Sequence, residues 1–420
     1  MSQVYVPDPA SVGQHLHDAA VEMVERGCRV RVLTSARGYD APRVRYPARE
    51  TIDGVEVRRL PLASLGKRSL LVRLIAQLSF LVQVVCRGLL MRGLDGILVS
   101  TSPPMCGAAA WLIGSLRRVP IVYWVMDINP DQAVALGAVR AQSPFVRLFH
   151  ALNRKILRRA DAVVTLDRFM AERLLAKHDV SHKLSLFPPW PHEDHLAPVP
   201  HAANPFRAAQ GWSEKFVVMY SGNHSPANPI STTLEAARRL QHREDIVFAF
   251  VGGGRGKGEV REAIEHGLDN IVDLPYQPIE DLSYSLTAAD VHLVTLGETS
   301  VGLVHPCKVY GAMAVARPIL YLGPAPSHLA DLLDKHDVGC RVSHGDVAGM
   351  VEAITRLADT PPQQRAAKGR RARDVVQRQL SKRILCRRFG DIVERALGRI
   401  PQPVRDDQAG PEVISRKKAA

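Results

Sequence analysis

The sequence predicts an α/β protein made of two doubly wound parallel-sheet domains that face a cleft. Three observations predict it. Apolar runs of strand length alternate with amphipathic helical patterns almost from end to end, as helices crossing between parallel strands require. The alternation breaks once, in a Pro- and His-dense stretch near residue 190, and then restarts. The length of 420 residues, 46% hydrophobic and 23% charged, suits two or three globular domains and excludes disorder, collagen and coiled coil as the overall class.

In the first half the strands read CRVRVLTS, GVEVRRL, DGILVST, VPIVYWV and ADAVVTL, with helical patterns such as Val12 to Arg26 and Phe145 to Arg159 between them. Val4-Tyr5-Val6 is short for an opening strand, so either the true start lies upstream or this strand is stunted. In an open parallel sheet the chemistry lies beyond the carboxyl ends of the strands. Here those ends lead into STSPP, MDINPDQ and TLDRF, and the first domain covers residues 1–190. The stretch FPPWPHEDHLAPVPHAANPFR can be neither helix nor central strand, which makes 191–207 a linker. KFVVMYSG, IVFAFVGGG, NIVDLPY, ADVHLVTLG, RPILYLG and VGCRVS then form a second domain over 208–380. Residues 381–398 are expected to be a C-terminal helix, and 399–420 a disordered basic tail.

Lys and Arg outnumber Asp and Glu by 55 to 42, which favours an acidic partner: a nucleotide, an anionic lipid or nucleic acid. Most of that excess lies from Pro361 onward, where 16 basic residues face 6 acidic ones. The six cysteines lack C-x-x-C spacing, so neither a zinc site nor a disulfide framework is expected, as in a reduced cytoplasm. The N-terminus lacks the basic and apolar regions of a signal peptide. The longest strongly apolar stretch, Leu74 to Cys86, has 13 residues where a spanning helix needs about 20, so no transmembrane segment is expected.

Six segments can carry chemistry or binding. VYVPDPASVGQHLHD is strand, loop and helix, with Gly13 and Gln14 at a helix start where backbone amides attract anions. A tight turn is the alternative. YSGNHSPANPI opens at a strand end through Gly222, Asn223 and His224, an arrangement suited to phosphate or sugar hydroxyls. FVGGGRGKGEVREA sets Gly253 and Gly254 beside Arg255 and Lys257, but neither G-x-G-x-x-G nor a P-loop is present, which argues against a dinucleotide oxidoreductase and a P-loop ATPase. VTLGETSVGLVHPCKVYGAMAVARP puts Glu298 in a loop before a helix beginning near His305 and Pro306, with Lys308 in its first turn. The helix dipole disfavours a cation there, so Lys308 is expected to face an anion. Asp127, in WVMDINPD, ends a buried strand where catalytic side chains sit, or else caps a helix. His292 reads as a core histidine, and no metal-ligand spacing occurs. Finally, residues 57–94 hold Arg58, Arg59, Lys67, Arg68, Arg73, Arg87 and Arg92 with no Asp or Glu, around an apolar helix of the kind that lies on an anionic membrane. A buried helix with charged ends is the alternative.

PDPASVGQHL, STSPP, DINPDQAVALG, YSGNHSP, FVGGG and HPCKVYGAMAVARP together resemble glycosyltransferase family 4 of the GT-B fold, in particular its bacterial surface-polysaccharide branch, over roughly residues 3–395. The resemblance implies two Rossmann-like domains and a retaining transferase that uses a nucleotide-sugar, usually a UDP-sugar, with no metal or other cofactor. It places the acceptor against the first domain and the donor against the second. Gly13 and its neighbours would face the donor phosphates or sugar, Gly222 and Asn223 would line the donor loop, and Lys308 would approach the pyrophosphate. Tyr276 and Gln277 would flank the nucleoside, and the terminal helix would brace the first domain. The family's Glu-x7-Glu falls on Leu303 and Gly311, so both carboxylates are missing. Asn223 and the HSPANP loop replace the usual Arg and Lys, leaving Lys308, Arg255 and Lys257 as cations for the leaving diphosphate. The implied acceptor is lipid-linked or a polysaccharide, presented at the cytoplasmic face of the membrane, with Asp127 as acceptor-side base. A GT-B epimerase or phosphorylase, or a catalytically degenerate scaffold, are the alternatives. Nucleic acid is not an expected partner, because no basic surface interleaved with aromatics occurs.

Overall fold

The structure, a computed structural model, describes residues 1–400 apart from Pro9, 39–42 and 64–69, and leaves the side chains of 70, 71 and 73 undescribed. The expected basic tail beyond residue 400 lies outside the described residues, as do Lys67 and Arg68.

Lobe 1 holds β1 (Arg31–Ser35), β2 (Arg49–Ile52), β3 (Val55–Leu60), β4 (Ile97–Ser100), β5 (Ile121–Val125), β6 (Ala162–Thr165) and β7 (Leu184–Leu186). β1 pairs in parallel with β3, and β4 to β7 form a parallel run. The opening residues join the two sets. Ser2 donates to the Leu33 carbonyl at 3.3 Å and Gln3 accepts from Ser35 at 3.1 Å, while Gln3 also donates to Ser102 at 2.8 Å on the other side. Residues 1–3 thus bridge the two sheets through their backbone, but the expected strand at Val4-Tyr5-Val6 does not form, because the chain turns at Val6 and Pro7. β2 and β7 were not legible as strands. β2 is antiparallel to β3 around Asp53 and Gly54, whose φ values of 47° and 78° give the two-residue turn that matches strand twist.

Lobe 2 holds β8 (Phe216–Ser221), β9 (Ile246–Val251), β10 (Ile271–Leu274), β11 (Val291–Thr295), β12 (Ile319–Leu322) and β13 (Gly339–Val342), all parallel. Their order is β10-β9-β8-β11-β12-β13, the doubly wound arrangement that turns direction between β8 and β11. β9, β11 and β12 are buried along their whole length, as strands covered by helices on both faces must be. His292 in β11 is a satisfied core residue, with Nε2 2.9 Å from the Leu286 carbonyl and its pKa pushed down by burial to about 4.

Two connections tie the lobes. The linker buries Trp190, whose indole donates to Asp18 at 2.8 Å. The last helix, Lys382–Ala396, returns to lobe 1 and inserts Leu385, Phe389 and Val393 into its core. Arg26, just past the first helix (Ser11–Glu25), binds Asp391 at 2.8 Å and Glu394 at 2.7 Å on that returning helix. The lobes also touch directly: Ile128 donates its amide to the Leu303 carbonyl at 3.1 Å, and Arg168 binds Asp331 at 2.6 Å.

Candidate active site

The turning point between β8 and β11 is where an open sheet of this order takes its ligand. The chain leaves β8 through Gly222, Asn223 and His224 and leaves neighbouring β9 through Gly252, Gly253 and Gly254. Gly222, Gly252 and Gly254 have φ of 126°, 121° and 120°, backbone that side chains rarely permit. The two loops lie in contact. A Cβ on Gly252 would collide with the Gly222 carbonyl, and one on Gly254 with Asn223 and His224. The glycine clusters of two separate segments therefore build one cradle.

Lys308 reaches this cradle from the helix Lys308–Ala314. Its Nζ sits 3.6 Å from the Tyr220 ring centroid and donates to the Asn223 carbonyl at 3.4 Å. Burial pulls its pKa from 10.5 down to about 7. With only seven residues, the helix adds little dipole, so loss of water, more than the dipole, strains the ammonium. His224 is buried beside the same Tyr220 ring, and its Nε2 has no hydrogen-bond partner among the described residues. Burial, and then the Lys308 charge, lower the His224 pKa to about 4. A stressed cation and an orphaned ring nitrogen share one glycine-lined hollow.

Lys257 does not belong to the ligand-facing set. It is buried, donates to the Gly252 and Leu274 carbonyls and pairs with Asp273, so its charge is consumed inside the loop. Its three partners leave no reason for it to seek a phosphate. Arg255 stands exposed at the cradle rim. Tyr276 is exposed with its ring edge 3.0 Å from where a Gly253 Cβ would lie, and the Gln277 amide donates to Pro275 at 2.9 Å. Glu298 is exposed in a short turn, Glu298–Ser300. Pro306 is buried.

His305 is also corrected. Its side chain is 1% exposed and bonds Asp167 of lobe 1 at 2.8 Å through Nδ1 and the Tyr310 hydroxyl at 2.8 Å through Nε2. That hydroxyl continues to His328 at 2.9 Å. The imidazole thus joins the lobes and has no nitrogen left for a substrate. Asp167, His305 and His328 are close enough to be grouped as potential metal ligands, which no sequence spacing revealed, but they already satisfy one another through Tyr310.

On lobe 1, Asp127 follows β5. Its amide donates to Thr101 Oγ1 at 3.2 Å, while its carboxylate has no hydrogen bond or ion pair among the described residues. It caps no helix. Burial raises its pKa to about 6. Across the cleft the Cys307 thiol is pushed up to about 12 by burial and then by Asp127 and Glu193, which sets both carboxylates beside the Lys308 helix. Gly13 is buried, and a Cβ there would lie 3.0 Å from the Tyr5 Cα, so its missing side chain lets the first helix pack closely on the opening segment. Gln14 lies half-buried in the same first turn.

Two family models match in tandem: residues 11–190 match a glycosyl transferase 4-like domain, and residues 215–360 match glycosyl transferases group 1. The chain is a GT-B glycosyltransferase of this family. It is 27% identical to the probable glycosyltransferase WbjE of Pseudomonas aeruginosa over 79% of this chain and 82% of that one. It is 26% identical to the putative colanic acid biosynthesis glycosyl transferase WcaI of Escherichia coli over 92% and 96%. Among solved structures, sucrose-phosphate synthase of Thermosynechococcus elongatus superposes with a TM-score of 0.71 at 18% identity, covering 92% of this chain and 94% of that one. Anabaena HepE, solved with UDP-glucose, superposes with a TM-score of 0.68 at 15% identity over 94% and 98%. These likenesses agree with the two-lobed fold. The glycosyltransferase's cleft also includes Glu193 and Tyr220, which sequence reasoning missed: Tyr220 reads as a buried strand residue and Glu193 as part of a linker.

Proposed function

We propose that this glycosyltransferase moves a sugar, with retention of configuration and without a metal, from a nucleotide-sugar to a lipid-linked or polysaccharide acceptor in cell-surface polysaccharide biosynthesis. A UDP-sugar is the favoured donor. The observation that carries the reading is Lys308, a desolvated ammonium held over a glycine cradle beside the unpartnered His224 Nε2. A diphosphate supplies oxygens to the Lys308 ammonium and restores the charge that burial penalises, while the neutral His224, whose Nδ1 faces the Gly253 carbonyl at 3.3 Å, offers its Nε2 as an acceptor to a hydroxyl. The UDP-glucose complex of HepE and the colanic acid name of WcaI support the donor and the pathway class. In this mechanism Lys308 stabilises the leaving diphosphate, where the largest charge develops, and Asp127 takes the proton of the acceptor hydroxyl. Arg255 is the second available cation. A panel of nucleoside diphosphates and nucleotide-sugars, run with chelator in a thermal-shift assay, tests this reading. At least one member stabilises the protein; stabilisation by none contradicts it.

The acceptor is proposed to reach lobe 1 from an anionic membrane at the cytoplasmic side. No helix among the described residues is long and apolar enough to cross a membrane. Arg59, however, is buried and paired with Glu50, and Arg58 pairs with Glu56 at 2.6 Å, so neither serves a lipid surface. The helices Leu70–Leu89, Cys106–Arg117 and Pro144–Arg159 lie side by side, and none contains Asp or Glu. The first leaves Leu74, Ile75, Leu78 and Val82 exposed as a stripe, and the third leaves Phe145 and Leu148 exposed beside Arg147. Apolar side chains with only positive charge among them suit an anionic interface. Leu78→Glu with Val82→Glu should move the protein from the pellet to the supernatant in sedimentation with phosphatidylglycerol vesicles at low salt. Wild-type protein that stays in the supernatant removes the membrane role.

A further inference from the structure

Glu193 carries an inference of its own. The linker around it is fixed on both sides. Trp190 and His192 reach Asp18 at 2.8 and 3.2 Å, and Asp194 accepts from the Lys382 amide at 2.6 Å. The backbone is thereby anchored to the first helix and to the returning helix of lobe 1. Between these anchors the Glu193 side chain turns the other way, toward lobe 2. A Cβ placed on Gly311 would lie 3.2 Å from its Cδ and 3.3 and 3.4 Å from its two carboxylate oxygens.

Gly311 sits in the middle of the Lys308–Ala314 helix, three residues after Lys308 and four after Cys307. Residues at these spacings share one helix face. The opposite side carries Val309, Tyr310 and Met313 into the lobe 2 core. Lys308, Cys307 and Gly311 therefore look into the cleft, and the bare surface at Gly311 is covered by the carboxylate of Glu193. Neither oxygen of that carboxylate has a hydrogen bond or ion pair among the described residues. Glu193 is half-buried, where an acceptor without donors is held at a cost. Among the described residues no cation pairs with it, and Lys308 is turned to Tyr220 and Asn223.

We infer that Glu193 is a substrate-binding residue whose two oxygens accept hydrogen bonds from adjacent hydroxyls of the nucleotide-sugar. Ionised carboxylates are acceptor-only groups, and a pair of neighbouring hydroxyls offers the two donors they lack. Both the ribose and the transferred sugar have such hydroxyls. This inference rests on the nucleotide-sugar reading of the cleft.

The test is calorimetric, in chelator, with the nucleotide-sugar that stabilises the wild type most in the panel and with its parent nucleoside diphosphate. Glu193→Ala should weaken binding by about 10- to 100-fold, the range for hydrogen bonds to a charged group. Equal weakening of both ligands assigns Glu193 to the ribose hydroxyls. Weakening of the nucleotide-sugar alone assigns it to the donor sugar. Gly311→Ala is the second variant, because its methyl presses the carboxylate out of place while favouring the helix. It should weaken the same ligand and leave thermal stability equal or higher, which a purely structural role for Glu193 does not produce. Wild-type affinity in both variants overturns the assignment alone. A wild type that binds no nucleotide-sugar overturns the cleft reading, and this assignment with it.

Discussion

Replacing Lys308 with Ala should lower glycosyl transfer about 10²- to 10³-fold, the usual loss when one preorganised group facing developing charge is removed. The fold should survive. The ammonium has its pKa depressed from 10.5 to about 7, so below the unfolded value the folded state holds it at a cost. The Ala variant should therefore melt no lower than the wild type at pH 7. Steady-state transfer and thermal melting check the two statements separately. A normal rate moves the role to Arg255, since Lys257 is tied to Asp273.

Asp127→Asn should lower transfer about 10²- to 10⁴-fold while leaving donor affinity unchanged, because a general base acts only on the proton in flight. The pKa of about 6 sets the pH dependence. Below it the carboxyl is protonated and cannot accept, so the wild-type rate should rise through pH 6, and the residual rate of the Asn variant should not. Stability carries the opposite sign. A raised carboxyl pKa stabilises the fold only while the proton is held, and that contribution is lost as pH rises through the folded value. Asp127→Asn should thus melt higher than the wild type at pH 8 and equally at pH 3. Loss of donor binding together with transfer would assign Asp127 a structural role.

Much of the fold was legible because burial on both faces leaves unbroken apolar runs, and β8, β9, β11 and β12 were read from those runs. β2 was hidden by its alternation of exposed and half-buried residues, and β7 by its short, partly exposed LSL. At the site, order along the chain led to residues that the fold places around the cleft. Asp127, Gly222 and Lys308 all follow from order along the chain. Lys257 and His305 misled for one reason: a charged or ionisable side chain near a glycine loop looks the same whether it faces a ligand or a partner. Asp273 lies 16 residues from Lys257 and Asp167 lies 138 residues from His305, so only the fold brings each pair together. Glu193 was missed because nothing in a proline-rich linker marks one carboxylate as facing a helix of the other lobe.

The central claim is that burial leaves Lys308 largely discharged above neutral pH and that a diphosphate restores its charge. Calorimetry of nucleotide-sugar binding at pH 8, in two buffers of different ionisation enthalpy, tests it most directly. An incoming diphosphate restores the lysine's charge, so the account predicts uptake of about one proton per nucleotide-sugar by the wild type and none by Lys308→Ala. Binding heats independent of the buffer, or the same uptake in both proteins, would contradict it.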